Sequence, residues 1–233
     1  MMKLRSIALG LTLLSTSVLA QDYQVQINGD YVDYDGGNTF SVMGTYHFDK
    51  VSTKDTAWAE AAFMGQKSNV KAAITDFDGD ATSYLLGGEW FADNNFYAAL
   101  NMNYVDADGG YNDTTFTGEV GYFFADNWLV AITGNDDDFS DTLGIRTKYI
   151  HRLADSQFIN FEAAYSDATD DFTVAGDFYW SPQSSVGLVL SDADEYRYGI
   201  RAQHFFTPAI ALRLTFSDTK YDDIVSIGLT GRF

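Results

Sequence analysis

Alternation with a period of two runs through this chain from Tyr23 to its last residue, Phe233, with almost no helical pattern between the alternating segments. FYAALNMNY shows it most clearly: Phe96, Ala98, Leu100, Met102 and Tyr104 share one face, and Tyr97, Ala99, Asn101 and Asn103 the other. Neighbouring side chains of a strand point to opposite sides of a sheet, so each such segment reads as a strand with one apolar face and one small or polar face. Fourteen can be laid out: 23–31, 39–48, 56–65, 83–91, 96–104, 115–124, 128–134, 142–150, 158–166, 172–180, 185–191, 196–205, 209–217 and 224–233. In this scheme TAWAEAAFMG (56–65) is the third strand, and VKAAIT extends it past a bulge at 67–69. Residues 66–82 are where the pattern is weakest, and a separate strand or a constricting loop are the alternatives there.

The connections fall into two chemical sets that alternate along the chain. One is short and flanked by aromatics, as in WFADNNF, FFADNW and YWSPQS, and it holds both prolines, Pro182 and Pro208, where a missing N–H breaks no ladder. The other is acidic, as in DFDGDA, DADGGYND and SDADEY, and its seven members hold 21 of the 33 acids. Alternation between the two sets means that the two ends of one sheet meet different surroundings. DFDGDA opens like a calcium loop, but Ala81 and Gly87 stand where an EF-hand needs Gly and Glu, so that motif is rejected.

Residues 1–20, MMKLRSIALGLTLLSTSVLA, have a basic start, a short apolar middle and small residues before Gln21, which predicts a cleaved secretory signal peptide and leaves 21–233 as one domain. Without that segment the chain carries 12 basic against 33 acidic residues, a net charge of −21, which argues against nucleic acid as a partner. There is no cysteine, hence no disulfide framework and no lipid anchor on cysteine. No later stretch offers the ~18 consecutive apolar residues of a spanning helix.

A soluble sandwich would bury its apolar faces on a second sheet. Here one face is small or polar in strand after strand, while the other is aliphatic in the middle and aromatic near the turns, the pattern of a band in lipid with interfacial aromatic girdles. A sheet in lipid must close, because an open edge would leave backbone groups unsatisfied. The chain ends SIGLTGRF, with Val225, Ile227, Leu229, Gly231 and Phe233 on one face. In this the sequence resembles the outer-membrane β-barrels of Gram-negative bacteria, and in size and loop length the small general porins of gammaproteobacteria. The resemblance implies an all-β fold, a transmembrane antiparallel up-and-down barrel of about 14 strands (roughly 12 to 16). It also implies that the terminal signature is read by the barrel-assembly machinery, that the location is the bacterial outer membrane, and that lipid and lipopolysaccharide surround the protein.

A barrel of about 14 strands lies between small barrels filled by side chains and large ones that enclose water, so a narrow aqueous pore is expected. Short loops, and an N-terminus that enters the first strand at once, predict that nothing plugs it. Strand parity turns Glu60, Glu89, Glu119, Glu162 and Asp177 inward, with Arg197, Arg201, Arg213 and Arg232 on the last three strands. Arg146 and Lys148 share the eighth strand, and Arg146 comes close to opposite Glu162 if the hairpin turns at 154–155. Lumen charges persist only when paired or hydrated. They form either ion-pair ladders along the wall or an arginine cluster facing carboxylates across the pore. The acidic loops are either a solvated rim or, at clusters such as Asp136-Asp137-Asp138, a place for divalent cations shared with lipopolysaccharide.

The three histidines, His47, His151 and His204, all lie beside aromatic turns, at the end opposite to where outer-membrane hydrolases carry their catalytic histidine. The expectation is therefore a monomeric diffusion channel for small polar solutes and ions, not an enzyme, without cofactor or resident metal. A non-conducting structural or adhesive barrel is the alternative.

Overall fold

The structure, a computed structural model, describes residues 22–136, 142–193 and 196–233. The expected signal peptide, and Asp137 and Asp138 of the acidic cluster, lie outside them. Fourteen strands run β1 (Asp22–Tyr34), β2 (Gly37–Ser52), β3 (Asn69–Phe77), β4 (Ala81–Phe91), β5 (Phe96–Ala107), β6 (Tyr111–Ala125) and β7 (Trp128–Asn135). They continue with β8 (Gly144–Ala154), β9 (Gln157–Ser166), β10 (Asp171–Ser181), β11 (Ser184–Ser191), β12 (Tyr196–Thr207), β13 (Ile210–Thr219) and β14 (Asp223–Arg232). Each strand pairs antiparallel with its sequence neighbours, and β1 closes on β14 through a register from Gln26 opposite Arg232 to Asp33 opposite Val225. Among the described residues the sheet closes on itself and leaves no open edge strand, the condition for a sheet in lipid.

Phe233 completes the seam. Its carbonyl accepts from the N–H groups of Gln24 and Val25 at 2.8 and 3.0 Å, and its own N–H donates to the Val25 carbonyl at 2.9 Å.

The outward faces carry the apolar residues: Leu86, Leu100 and Val120 are 57%, 60% and 63% exposed, values that in water would be costly over so wide a belt. At the end of the short turns, aromatic rings touch in sequence around the rim, Phe96 to Tyr122, Phe124, Trp128, Tyr149 and His151. Antiparallel order puts the acidic connections, among the described residues, at the opposite end.

Residues 56–65 correct the sequence reading. They are not a wall strand: after β2 the chain forms a 3-10 turn, Trp58–Glu60, and the short helix α1, Ala61–Met64, and the third strand is 69–77, the stretch taken as an extension. The count of fourteen survives because one strand replaces another. Ala57, Trp58, Ala59, Ala61, Ala62, Phe63 and Met64 are apolar on all sides rather than on alternate positions. Ala, Glu and Met also favour helix. Backbone bends at Asp55 and Gln66, with φ of 59° and 48°, turn this connection away from the rim at both ends.

Candidate functional site: the lumen and its inserted segment

The inserted segment folds into the barrel and touches wall strands on all sides. The Trp58 N–H donates to the Pro182 carbonyl at 2.8 Å, and the Trp58 ring meets Phe205 edge-on at 6.0 Å. Arg232 Nη1 donates to the Trp58 carbonyl at 2.9 Å, and Gln66 Nε2 to the Asp126 carbonyl at 3.1 Å. Apolar contacts finish the fit: Ala57 packs with Ile150, Phe158 and Tyr179, Ala61 with Tyr23 and Val51, and Phe63 lies 5.4 Å from the Phe123 ring. The expectation of an unobstructed pore is thus overturned. A connection made largely of apolar side chains gains burial by entering the barrel that it could not gain at the rim.

Glu60 keeps the inward position predicted for it, but from this segment and not from a strand. Its carboxylate accepts from Lys148 Nζ at 2.8 Å and from the Tyr179 hydroxyl at 2.9 Å. Lys148 also reaches Glu162 at 3.2 Å, because the hairpin register sets Lys148 opposite Glu162. Arg146 falls opposite Ala164, two positions from Glu162, and bonds Glu119 through two nitrogens instead.

The remaining arginines are tied along the wall. Arg201 grips Asp177 with Nε at 2.7 Å and Nη2 at 2.5 Å, and Arg213 bonds Asp30. These are ladders, not a cluster facing carboxylates across the pore. Glycines make them possible. Asp177 and Arg201 both stand opposite Gly187 of the strand between them, and Asp30 and Arg213 both stand opposite Gly228. A Cβ at Gly187 would lie 2.1 Å from Asp177 Oδ1, and one at Gly228 2.2 Å from Asp30 Oδ1, so in each case the empty middle position lets an ion pair bridge two strands.

Glu89 pairs with Lys71 at 3.2 Å. Arg197 stands apart: past a register shift at Tyr196–Tyr198 its side chain is 61% exposed near the acidic end, 3.5 Å from Asp218. Lys71, Asp30 and Lys67 were missed by the sequence reading. Lys67 fell at the assigned bulge and Lys71 in the extension beyond it, and Asp30 is inward by the same parity as Gln26 and Asn28 on β1.

Two cavities flank the inserted segment, of about 320 and 280 Å³. The larger is bounded by β1 to β5, β7, β8 and β14, the smaller by β8 to β14 and β1. Gln26, Ala59, Lys148 and Arg232 border both. Lys148 on β8 and Arg232 on β14 stand on opposite walls of the barrel, so the segment divides the lumen across its width.

His47 is buried with its ring edge-on to Tyr23 at 5.6 Å, whereas His151 and His204 are exposed on the outer face and bond Tyr149 and Ser184. Oxygens of Glu60, Glu162 and Asp177 converge within 4.8 Å, but Lys148 and Arg201 already bond these carboxylates.

The fold has close counterparts. The crystal structure of the outer membrane protein Omp33 of Acinetobacter baumannii matches 91% of this chain and 99% of its own at a TM-score of 0.81, with 26% identity. A KdgM porin, also solved with disordered oligogalacturonate, matches 89% of this chain and 99% of its own at a TM-score of 0.50 and 8% identity, a likeness of fold alone. No curated protein sequence gives a significant match. A family profile covers residues 1–143 and 133–229. With a closed barrel, a charged interior and that profile in agreement, the chain is an outer-membrane protein of the porin class and belongs to the family described as "Putative general bacterial porin".

Proposed function

We propose that the protein is a passive channel of the outer membrane, working as a monomer, for ions and very small hydrophilic solutes. The observation that carries this is the pair of polar cavities beside the inserted segment, within a closed wall whose inner face bears ion pairs and whose outer face is apolar. At about 30 Å³ per water, each cavity holds on the order of ten water molecules. That suits a partly hydrated ion or a solute of a few heavy atoms. The lining charges Glu89, Arg146, Lys148, Glu162, Asp177, Arg201, Arg213 and Arg232, with Glu60 on the segment and Glu119 behind Arg146, supply polar partners and exclude apolar solutes. Arg197 serves the acidic mouth. The end with the short turns faces the periplasm, and Val225, Ile227, Leu229, Gly231 and Phe233 present the assembly signal. The outer belt contacts lipid and lipopolysaccharide.

A catalytic reading lacks support from the histidines, since two face outward and the third is packed against Tyr23 inside the wall. A non-conducting barrel is the second reading, favoured by the number of bonds that tie the inserted segment to the wall. Purified protein in a planar bilayer separates the two. Discrete ion conductance is expected, together with swelling of liposomes in small-solute but not disaccharide media. An electrically silent barrel would establish the second reading.

A further inference from the structure

The two cavities differ in charge. Leaving aside Lys148 and Arg232, which border both, the larger is lined by Lys67, Lys71 and Arg146 against Glu89. The smaller is lined by Arg201 and Arg213 against Glu60, Glu162 and Asp177. Three cations to one acid on one side thus face two cations to three acids on the other. Counting Glu119, bonded to Arg146, and Asp30, bonded to Arg213, changes each side by one acid and leaves the difference intact.

Pairing sharpens the contrast. Among the described residues Lys67 has no carboxylate within ion-pair distance, so the larger cavity keeps an unneutralised ammonium. In the smaller cavity the carboxylates of Glu60, Glu162 and Asp177 lie within 4.8 Å of one another and share two cations, Lys148 on Glu60 and Glu162 and Arg201 on Glu162 and Asp177. Between the cavities stands the inserted segment, with Ala59 on both sides, Ala62 and the Phe63 ring toward the larger, and its one carboxylate, Glu60, toward the smaller.

From this we propose that the lumen is two parallel lanes of opposite preference: small anions pass on the side of Lys67 and Lys71, cations on the side of Glu162 and Asp177. The proposal rests on the channel reading above. An ion in a narrow, weakly hydrated passage is chosen by the nearest fixed charges, and a low-dielectric divider keeps the fields of the two sides apart.

The native chain has no cysteine, so single cysteines can be placed in either lane and blocked with a bulky neutral thiol reagent. Thr45→Cys lies in the larger cavity and Gln203→Cys in the smaller, and neither residue belongs to an ion pair. Each variant is recorded in a planar bilayer under a potassium chloride gradient before and after modification. Blocking Thr45→Cys is expected to remove most of the chloride current and shift the reversal potential toward that of potassium, and blocking Gln203→Cys to do the opposite. A second variant, Lys67→Glu, should lower the chloride share several-fold and leave potassium conductance in place. If either block scales both currents down in equal proportion, the lumen is one shared path and the lanes are disproved while the channel stands. A native barrel with no current at all overturns the channel reading as well.

Discussion

Asp177 on β10 and Arg201 on β12 are joined by two hydrogen bonds across an intervening strand, over a position that only glycine can occupy. Asp177 is nearly buried and Arg201 only part-exposed, so the pair is shielded from bulk water. Removing one partner of such a pair costs about 3–5 kcal/mol, since the other is left charged and uncompensated. Asp177→Asn should therefore lower the temperature at which the barrel unfolds in detergent, read from heat-modifiable migration in gels.

Gly187→Ala tests the geometry rather than the charge. The new Cβ would meet Asp177 Oδ1 at 2.1 Å and the Gly176 carbonyl at 2.8 Å, so the carboxylate must move off Arg201. The expected loss is roughly 1–3 kcal/mol, as for a buried group deprived of its partner. In the Asp177→Asn background the same glycine change should cost clearly less. Additive losses would mean that the glycine matters for some reason other than the ion pair.

Lys148 holds the inserted segment to the wall through Glu60 and at the same time neutralises Glu162. Lys148→Met leaves two carboxylates facing each other in a confined space. Increased current noise and a shift of the reversal potential toward cations are expected in bilayer recordings. A quiet channel with native selectivity would show that the apolar contacts of Ala57, Ala61 and Phe63 suffice.

Replacing residues 54–67 by a short turn joins β2 to β3 as the other hairpins are joined. The barrel should still close, because its seam is made by backbone pairing of β1, β14 and Phe233, and the segment adds only the side-chain contacts of Arg232 and Tyr23. Conductance should rise at least about threefold, as the lumen of a barrel this size is otherwise open enough for water. Conductance equal to the native value would place the constriction elsewhere.

Phe233 has two separable roles. Its backbone makes three hydrogen bonds to β1, which Phe233→Ala preserves and deletion removes. If the ring serves recognition during assembly, the alanine variant should refold in detergent as the native protein does, yet reach the outer membrane at a several-fold lower level in cells. Equal levels in cells would assign the residue to seam closure alone.

Much of the barrel was legible in the residues themselves. A strand in lipid has two environments, one on each side, and period-two alternation records both, so Phe96 to Tyr104 could be assigned without knowledge of any neighbour. The chemistry of the two ends was legible for the same reason, since aromatic turns and acidic connections are local features. Val225 to Phe233 announced the closing strand. The inward charges followed from parity, as for Glu89, Glu119 and Asp177.

What only the tertiary structure decided depends on contacts between distant segments. Residues 56–65 look strand-like when scanned in isolation, yet they are apolar all round because they are surrounded by wall, and no single-strand pattern reports an environment on every side. Pairing was hidden likewise: the register sets Lys148, two residues on from Arg146, opposite Glu162. The division of the lumen is a property of a connection that reaches both β8 and β14, strands separated along the chain but set on opposite sides of the closed sheet. Local alternation fixes which way a side chain points, whereas closure fixes what it meets.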